Sequence, residues 1–331
     1  MTEAPDALLE AVLREALTGL TSTPKTLSPW LFYDEHGSHL FEAITALPEY
    51  YLTRTERAIF AKHGPVLPLL LKEPVTIAEL GAGSASKTGI LLKEFVDAQS
   101  GVLYQPIDIS PTALDEAAAS IAEKIPGARV EPQVANYITD RYNITRLPGH
   151  RVLALYIGSS IGNFTPSDAR DVLRNLRAQL LPGDALLLGT DLRPNGGPDA
   201  HKTEATLLAA YDDAAGTTAA FNLNILTRLN RDLGADFDTQ NFRHRACWNP
   251  TESRIEMHLE SLTNQRVHIP ANSAGPALTL HFAPGETIHT ENSYKFTPTS
   301  VAALLTSANF TATNSWQDPH HLFAVTLAEA V

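Results

Sequence analysis

The sequence predicts an α/β protein in which a parallel, doubly wound sheet is joined to a second, smaller α+β domain. Three observations predict it. From about Val75, short apolar runs alternate with helical stretches; after Asp191 this rhythm gives way to two helical patterns followed by strand-like runs; and the first strand ends in a glycine-rich turn.

VTIAEL (75–80) reads as the first strand and SKTGILLKEFVDA (86–98) as its helix. VLYQPIDI (102–109) is the second strand, and PTALDEAAASIAEKI (111–125) a helix with Pro111 in its first turn. RVEPQVAN (129–136), RVLALYIGSS (151–160) and DALLLGTDL (184–192) supply three more strands. The helix SDARDVLRNLRAQL and the stop signal LPGD precede the last of these. RPNGGPDAHK (193–202) is a Pro- and Gly-rich connection, followed by helical patterns around ATLLAAYDDA and NLNILTRLNRDLG. FRHRACW, RIEMHLESL, QRVHI and ALTLHF read as antiparallel strands of an inserted domain. TPTSVAALLTSANF is a closing helix, and TNSWQ with HLFAVTLAEA a hairpin that returns to the parallel sheet. The expected division is 55–200 with 296–331 for the sheet domain, and 1–54 with 201–295 for the second.

Composition narrows the function. With 331 residues, 44% of them hydrophobic, the chain can bury a substantial core. Cys247 is the only cysteine, which rules out an intramolecular disulfide or a multi-thiolate cluster and fits a reducing compartment. The opening MTEAPDALLEAVLREAL has the pattern of an acidic amphipathic helix rather than a secretory leader, and no run reaches membrane-spanning length, so a cytoplasmic location is expected. The net charge of −12 argues against a nucleic-acid partner. Nothing resembles a dimerisation helix, and the chain is read as a monomer without a membrane partner.

The chemistry-bearing signal is Glu79-Leu-Gly81-Ala-Gly83-Ser84 at the end of the first strand. Its two glycines let the backbone approach a ligand at a helix N-terminus. A pyrophosphate fingerprint asks for a third glycine at position 86, where Ser86 stands. Asp108 ends the second strand, where a carboxylate can accept from both hydroxyls of a ribose. Together these favour a methyltransferase over a nicotinamide oxidoreductase.

The segment WLFYDEHGSHLFEAITALPEYYLTRTE (30–56) resembles the N-terminal signature of the histidine-specific N-α-methyltransferases of ergothioneine biosynthesis. AELGAGSASKT, LYIGSSIGNFTP, LLLGTDLRP, AYDDAAGTTAAFN, RIEMHL and HTENSYKF agree with it in order and spacing, covering nearly the whole chain. The resemblance implies a Rossmann-like class I domain that takes S-adenosylmethionine as methyl donor, plus a smaller domain for free L-histidine. Tyr33, Gly81, Lys87 and Asp108 then resemble cofactor contacts. Asn136 and Tyr137 would flank the adenine, where the family usually has Asp-Phe. Asn163 and Tyr211 resemble the pair that holds the substrate carboxylate, and Tyr50, near the α-nitrogen, would accept or relay a proton. Glu291 and Ser293 resemble imidazole contacts, with Met257 and Phe41 lining the pocket and Thr218 and Gly158 as further members.

Taken singly, these residues have commoner roles. Asp108 can be a helix N-cap, Asn163 a helix N-cap or a turn residue, Glu291 a solvated strand residue, Met257 core filler and Tyr50 a half-buried aromatic. Another amino acid, such as tryptophan or tyrosine, is the alternative substrate on the same scaffold, although a carboxylate at position 291 suits an imidazole N–H better. No metal is expected, because no histidine stands at zinc-type spacing from acidic partners and the adjacent pair His320 and His321 would point to opposite faces of a strand.

Overall fold

The structure is a computed structural model that describes residues 4–138, 142–194, 201–271 and 275–331. Most of the Pro- and Gly-rich connection after Asp191 lies outside the described residues. In chain order the elements are α1 (Ala4–Leu20), β1 (Lys25–Thr26), α2 (Glu35–Thr45), α3 (Tyr51–His63), α4 (Leu67–Leu71), β2 (Val75–Leu80), α5 (Thr88–Gln99), β3 (Val102–Asp108) and α6 (Pro111–Lys124). Then follow β4 (Ala128–Val130), β5 (Gln133–Val134), β6 (Arg151–Tyr156), α7 (Pro166–Arg177), β7 (Ala185–Asp191), α8 (Glu204–Tyr211) and α9 (Thr217–Leu233). The remainder are β8 (Phe242–Asn249), β9 (Arg254–Ser261), β10 (Gln265–Ile269), β11 (Leu278–Phe282), β12 (Thr287–Tyr294), α10 (Pro298–Ser307), β13 (Phe310–Gln317) and β14 (Phe323–Ala330).

The chain forms two compact units, Met1–Tyr50 with Ala205–Ser293, and Tyr51–Glu204 with Tyr294–Val331. The second and larger unit is built on a sheet of order β13-β14-β7-β6-β2-β3-β4, with β5 beside β3. Neighbours from β4 to β7 are parallel, and β14 runs antiparallel to both β7 and β13, so β14 alone is reversed along this path. Every residue of β2 and β7 is buried, as expected of central parallel strands covered on both faces. The chain winds from β2 outward through β3, and from β6 outward through β7, which makes the β2/β6 junction the topological switch point.

The segment expected as one strand over 129–136 is two short ones, β4 and β5, on either side of Pro132. Proline has no N–H for the ladder, which explains the break. Helix starts follow their caps: Ser110 Oγ accepts from Ala113 N ahead of α6, Thr165 Oγ1 accepts from Asp168 N ahead of α7, and Thr297 and Ser300 form a reciprocal capping box at α10.

The smaller unit contains a four-stranded sheet, β1-β12-β9-β8, and the separate ribbon β10-β11. β9 alternates strictly over its first half, with Ile255, Met257 and Leu259 buried and Arg254, Glu256 and His258 on the half-exposed face. α9 lays Phe221, Ile225, Leu226 and Leu229 into the core of this unit.

Candidate active site

In the larger unit the candidate residues gather at the carboxyl ends of β2, β3 and β6. Gly81 and Gly83 both have positive φ, +67° and +51°, the left-handed backbone that glycine tolerates without strain. Gly83 N donates to Asp108 Oδ2 at 2.9 Å and Ser110 N to Oδ1 at 2.9 Å, so the strand-end acid and the glycine loop fix each other. The cap of α6 is Ser110, not Asp108, and although Ile109 N–H also bonds to the Asp108 carboxylate, one of its about four lone-pair sites is left for another donor. Burial raises the Asp108 carboxyl above the usual carboxylate range. A Cβ placed on Gly83 would meet nothing within 4 Å, whereas one on Gly81 would stand 3.5 Å from the Tyr137 ring. An open space beside a glycine loop, with an acid that has accepting capacity in reserve, fits a nucleoside carrying two vicinal hydroxyls.

Tyr137 packs edge-on against Tyr156 at 5.7 Å, and burial pushes its phenol up to about 12. Asn136 Oδ1 accepts from Ile138 N at 3.1 Å, which turns the chain and sets the Tyr137 backbone. Lys87, expected as a cofactor contact, forms an ion pair with Glu56, Nζ to Oε2 at 2.6 Å. The same enclosed Glu56 carboxylate accepts from Gly158 N at 2.8 Å. One acid thus joins the loop after β2 to the turn after β6 across the switch point. Gly189 explains itself here, since a Cβ would lie 2.2 Å from Glu56 Oε1. Asn163 closes the short turn Ser160–Asn163, and the cap of α7 is Thr165, so the cap reading of Asn163 does not hold.

In the smaller unit the candidates form a continuous aromatic row. The Phe41 ring packs against Tyr33 at 5.7 Å and Tyr50 at 6.3 Å, and Tyr50 against Tyr211 at 6.4 Å. Tyr211 Oη lies 2.8 Å from Ser293 Oγ in a buried hydrogen bond. Tyr33 therefore stands with the residues expected for the substrate. Glu291 is only 8% exposed, which overturns its reading as a solvated strand residue, and Met257 is 2% exposed. Thr218 is buried at the start of α9, where Asp213 accepts its N–H at 2.7 Å.

A polar chain holds this row in register. Thr290 Oγ1 lies 2.8 Å from Asn222 Oδ1 and 3.0 Å from the Met257 carbonyl, and its one proton is shared between these two acceptors. Asn222 Nδ2 lies 2.8 Å from His244 Nδ1, and His244 Nε2 lies 2.8 Å from the Tyr211 carbonyl. A carbonyl only accepts, so Nε2 carries the proton and Nδ1 accepts from Asn222. Burial lowers the His244 pKa, in keeping with a neutral ring. The chain ties the end of α8, where Tyr211 sits, to the strand that carries Glu291 and Ser293.

Sequence reasoning missed two buried acids and one buried network. Glu56 is the last residue of the quoted N-terminal block, and its neighbourhood in that block was the available signal. Glu79, the first letter of the glycine motif, accepts from Thr88 Oγ1 at 2.7 Å and from Tyr104 Oη, and burial raises its carboxyl to about 7. Asp191, in the LLLGTDLRP block, is enclosed with Lys202, Lys295 and Tyr51.

The doubly wound sheet, the glycine loop after β2 and the acid that ends β3 define a nucleoside-binding α/β protein of the S-adenosylmethionine-dependent methyltransferase class. A family model described as "Histidine-specific methyltransferase, SAM-dependent" matches residues 12–330. The chain is 41% identical over 98% of its length to the Histidine N-alpha-methyltransferase of Mycolicibacterium smegmatis, covering 97% of that protein. It is 39% identical over 96% of its length to that of Mycobacterium tuberculosis, covering 94%. It is also 30% identical to the Ergothioneine biosynthesis protein 1 of Neurospora crassa, over 74% of this chain and 29% of that protein. The chain belongs to the histidine-specific, S-adenosylmethionine-dependent methyltransferases.

Proposed function

We propose that this protein transfers three methyl groups in succession to the α-amino nitrogen of free L-histidine, giving hercynine, the first step of ergothioneine biosynthesis. The observation that carries this reading is the buried Tyr211–Ser293 hydrogen bond at the end of the row Tyr33, Phe41, Tyr50, Tyr211, with enclosed Glu291 two residues before Ser293. A buried acid and a hydroxyl on one strand suit the polar ring of histidine, and aromatic faces suit an amine that ends as a quaternary cation.

S-adenosylmethionine supplies an electrophilic methyl group. Asp108 is assigned to its ribose, Gly81 and Lys87 to the loop that receives it, Asn136 and Tyr137 to the adenine, and Tyr33 to a further contact. Asn163 and Tyr211 are each assigned to the amino acid's carboxylate, Glu291 and Ser293 to its imidazole, and Met257 and Phe41 to the apolar lining. In each transfer the nitrogen lone pair forms the new N–C bond as the S–C bond breaks, so the amine must first give up a proton. Tyr50, buried between Phe41 and Tyr211, is assigned to take or relay that proton. Positioning and exclusion of water supply most of the rate in such a displacement, and the step asks for no Lewis acid.

No helix among the described residues is long and apolar enough to cross a membrane. We assign the protein to the cytoplasm as a monomer acting on a small molecule. The test is incubation with S-adenosylmethionine and each of the twenty amino acids, followed by mass spectrometry. Histidine should gain three methyl groups on the α-nitrogen, with or without a chelator. A ring-methylated product, a preference for another amino acid, or loss of activity on chelation overturns the reading.

A further inference from the structure

On the half-exposed face of the four-stranded sheet, opposite Met257, three donors of different chemistry converge. Cys247 on β8 is the direct cross-strand partner of Glu256 on β9, and His258 follows Glu256 by two residues on the same face. One ligand atom from each lies within 4.8 Å of the other two. Glu256 Oε2 is 3.3 Å from His258 Nε2 and 4.0 Å from Cys247 Sγ. We propose that Cys247, Glu256 and His258 form a binding site for a divalent cation of the zinc class, outside the residues assigned to methyl transfer.

The two separations measured from Glu256 suit such an ion. Tetrahedral zinc with bonds of about 2.0–2.3 Å places N and O ligands roughly 3.3 Å apart, and S and O ligands roughly 3.6 Å apart. The Glu256–His258 distance matches that value, and the Cys247–Glu256 distance exceeds it by a few tenths of an ångström, within reach of a small side-chain rotation. A thiolate, an imidazole and a carboxylate select a borderline-soft ion over calcium or magnesium, which take oxygen ligands.

Neighbouring groups present the donors. Arg254 Nε at 2.8 Å and Asn249 Nδ2 at 2.9 Å both hold Glu256 Oε1, which turns Oε2 towards His258 and Cys247. Burial would push the Glu256 carboxyl up, but these bonds hold it below the usual carboxylate range. His289 lies tilted beside His258 with ring centroids 4.9 Å apart, and Arg245 is the cross-strand partner of His258. Burial, with His289 nearby, lowers the His258 pKa. His258 Nδ1 is buried with no hydrogen-bond partner, so the ring proton, on giving up the Nε2 bond to Glu256, can move to Nδ1 without displacing another bond there. Burial and the adjacent Glu256 hold the Cys247 thiol protonated, so each ion bound releases one proton to solvent from Sγ. One anionic sulfur, one carboxylate and one neutral imidazole supply three ligands, with Arg254 staying paired to the other oxygen of Glu256, and water completes the fourth position.

The experiment is titration of the chelator-stripped full-length protein with cobalt(II), the spectroscopic surrogate for zinc. One equivalent should produce a thiolate-to-cobalt charge-transfer band in the near ultraviolet together with intense tetrahedral d–d bands, and added zinc should bleach both. Cys247→Ser, a near-isosteric change at a half-exposed position, should remove the charge-transfer band. His258→Ala and Glu256→Gln should each weaken binding by roughly tenfold or more, the scale seen even for groups that merely support a ligand. Absence of the bands in the wild type overturns the proposal, as does a charge-transfer band that survives Cys247→Ser or an affinity unchanged in both His258→Ala and Glu256→Gln. Circular dichroism of each variant separates loss of the site from loss of the fold.

Discussion

Lys295 Nζ lies 2.8 Å from Asp191 Oδ2, and neither side chain has any solvent exposure. Lys202, also fully enclosed, pairs with the other oxygen of the same carboxylate, and Tyr51 Oη donates to it at 2.9 Å. Burial alone would raise the Asp191 carboxyl, but Lys202 and Lys295 hold it below the usual range. Burial lowers Lys202 to about 8.

Removing the shared anion leaves two buried ammonium groups facing each other. Asp191→Ala should therefore destabilise the protein by about 3–5 kcal/mol, the cost of breaking a buried pair from one side. Thermal denaturation checks this, with a melting temperature within a degree of wild type contradicting it. The triple replacement of Asp191, Lys202 and Lys295 by apolar residues of similar size should recover much of the loss, because the two ammonium groups are removed together with the anion they share.

Much of the larger unit was legible in the sequence. Central parallel strands are buried on both faces, so VTIAEL and RVLALY announce themselves as short, largely apolar runs, and Pro111 and Thr297 mark helix starts through local chemistry. The contacts of Glu56, Asp191 and Cys247 were not legible. Glu56 meets Gly158 across 102 residues and Tyr51 meets Asp191 across 140, separations that carry no periodic signal. Cys247 and Glu256 are opposite only once the register of β8 and β9 is known.

Asp108 tests the cofactor assignment. Its carboxylate is held by Gly83 and Ser110 with accepting capacity to spare, so Asp108→Ala should weaken S-adenosylhomocysteine binding by about 2–4 kcal/mol, roughly 30- to 700-fold, if two charge-assisted bonds are lost. Calorimetry reads the affinity directly. An unchanged dissociation constant removes Asp108 from the site.

Glu79 yields a pH prediction. Its carboxyl rises from 4.5 to about 7 on burial, so between those values the folded protein holds a proton that the unfolded chain has released. Stability therefore falls as pH rises through this window, by at most about 3 kcal/mol for this group. Glu79→Gln removes the titration, so its melting temperature relative to wild type should climb from pH 4.5 to pH 7. A constant difference across the window contradicts the assignment.

Glu291 is the sharpest test of substrate choice. It is enclosed on β12, two residues before Ser293, whose hydroxyl already bonds to Tyr211, so its carboxylate stands among the residues assigned to the amino acid. If it accepts the imidazole N–H, Glu291→Ala removes a charge-assisted bond of about 1.5–3 kcal/mol. At 1.4 kcal/mol per tenfold this is roughly a 10- to 150-fold loss in kcat/KM for histidine. Cofactor affinity should stay within about twofold of wild type, since the loop around Gly81 and Asp108 is untouched. The pocket should also relax towards an apolar ring, raising the relative rate with tryptophan, because the polar group that suits an imidazole is gone. A buried acid serving only to hold β12 would instead lower stability and leave the histidine-to-tryptophan ratio where it was. Measuring both specificity constants beside the melting temperature separates the two roles, and a ratio unchanged within threefold rules out Glu291 as the imidazole selector.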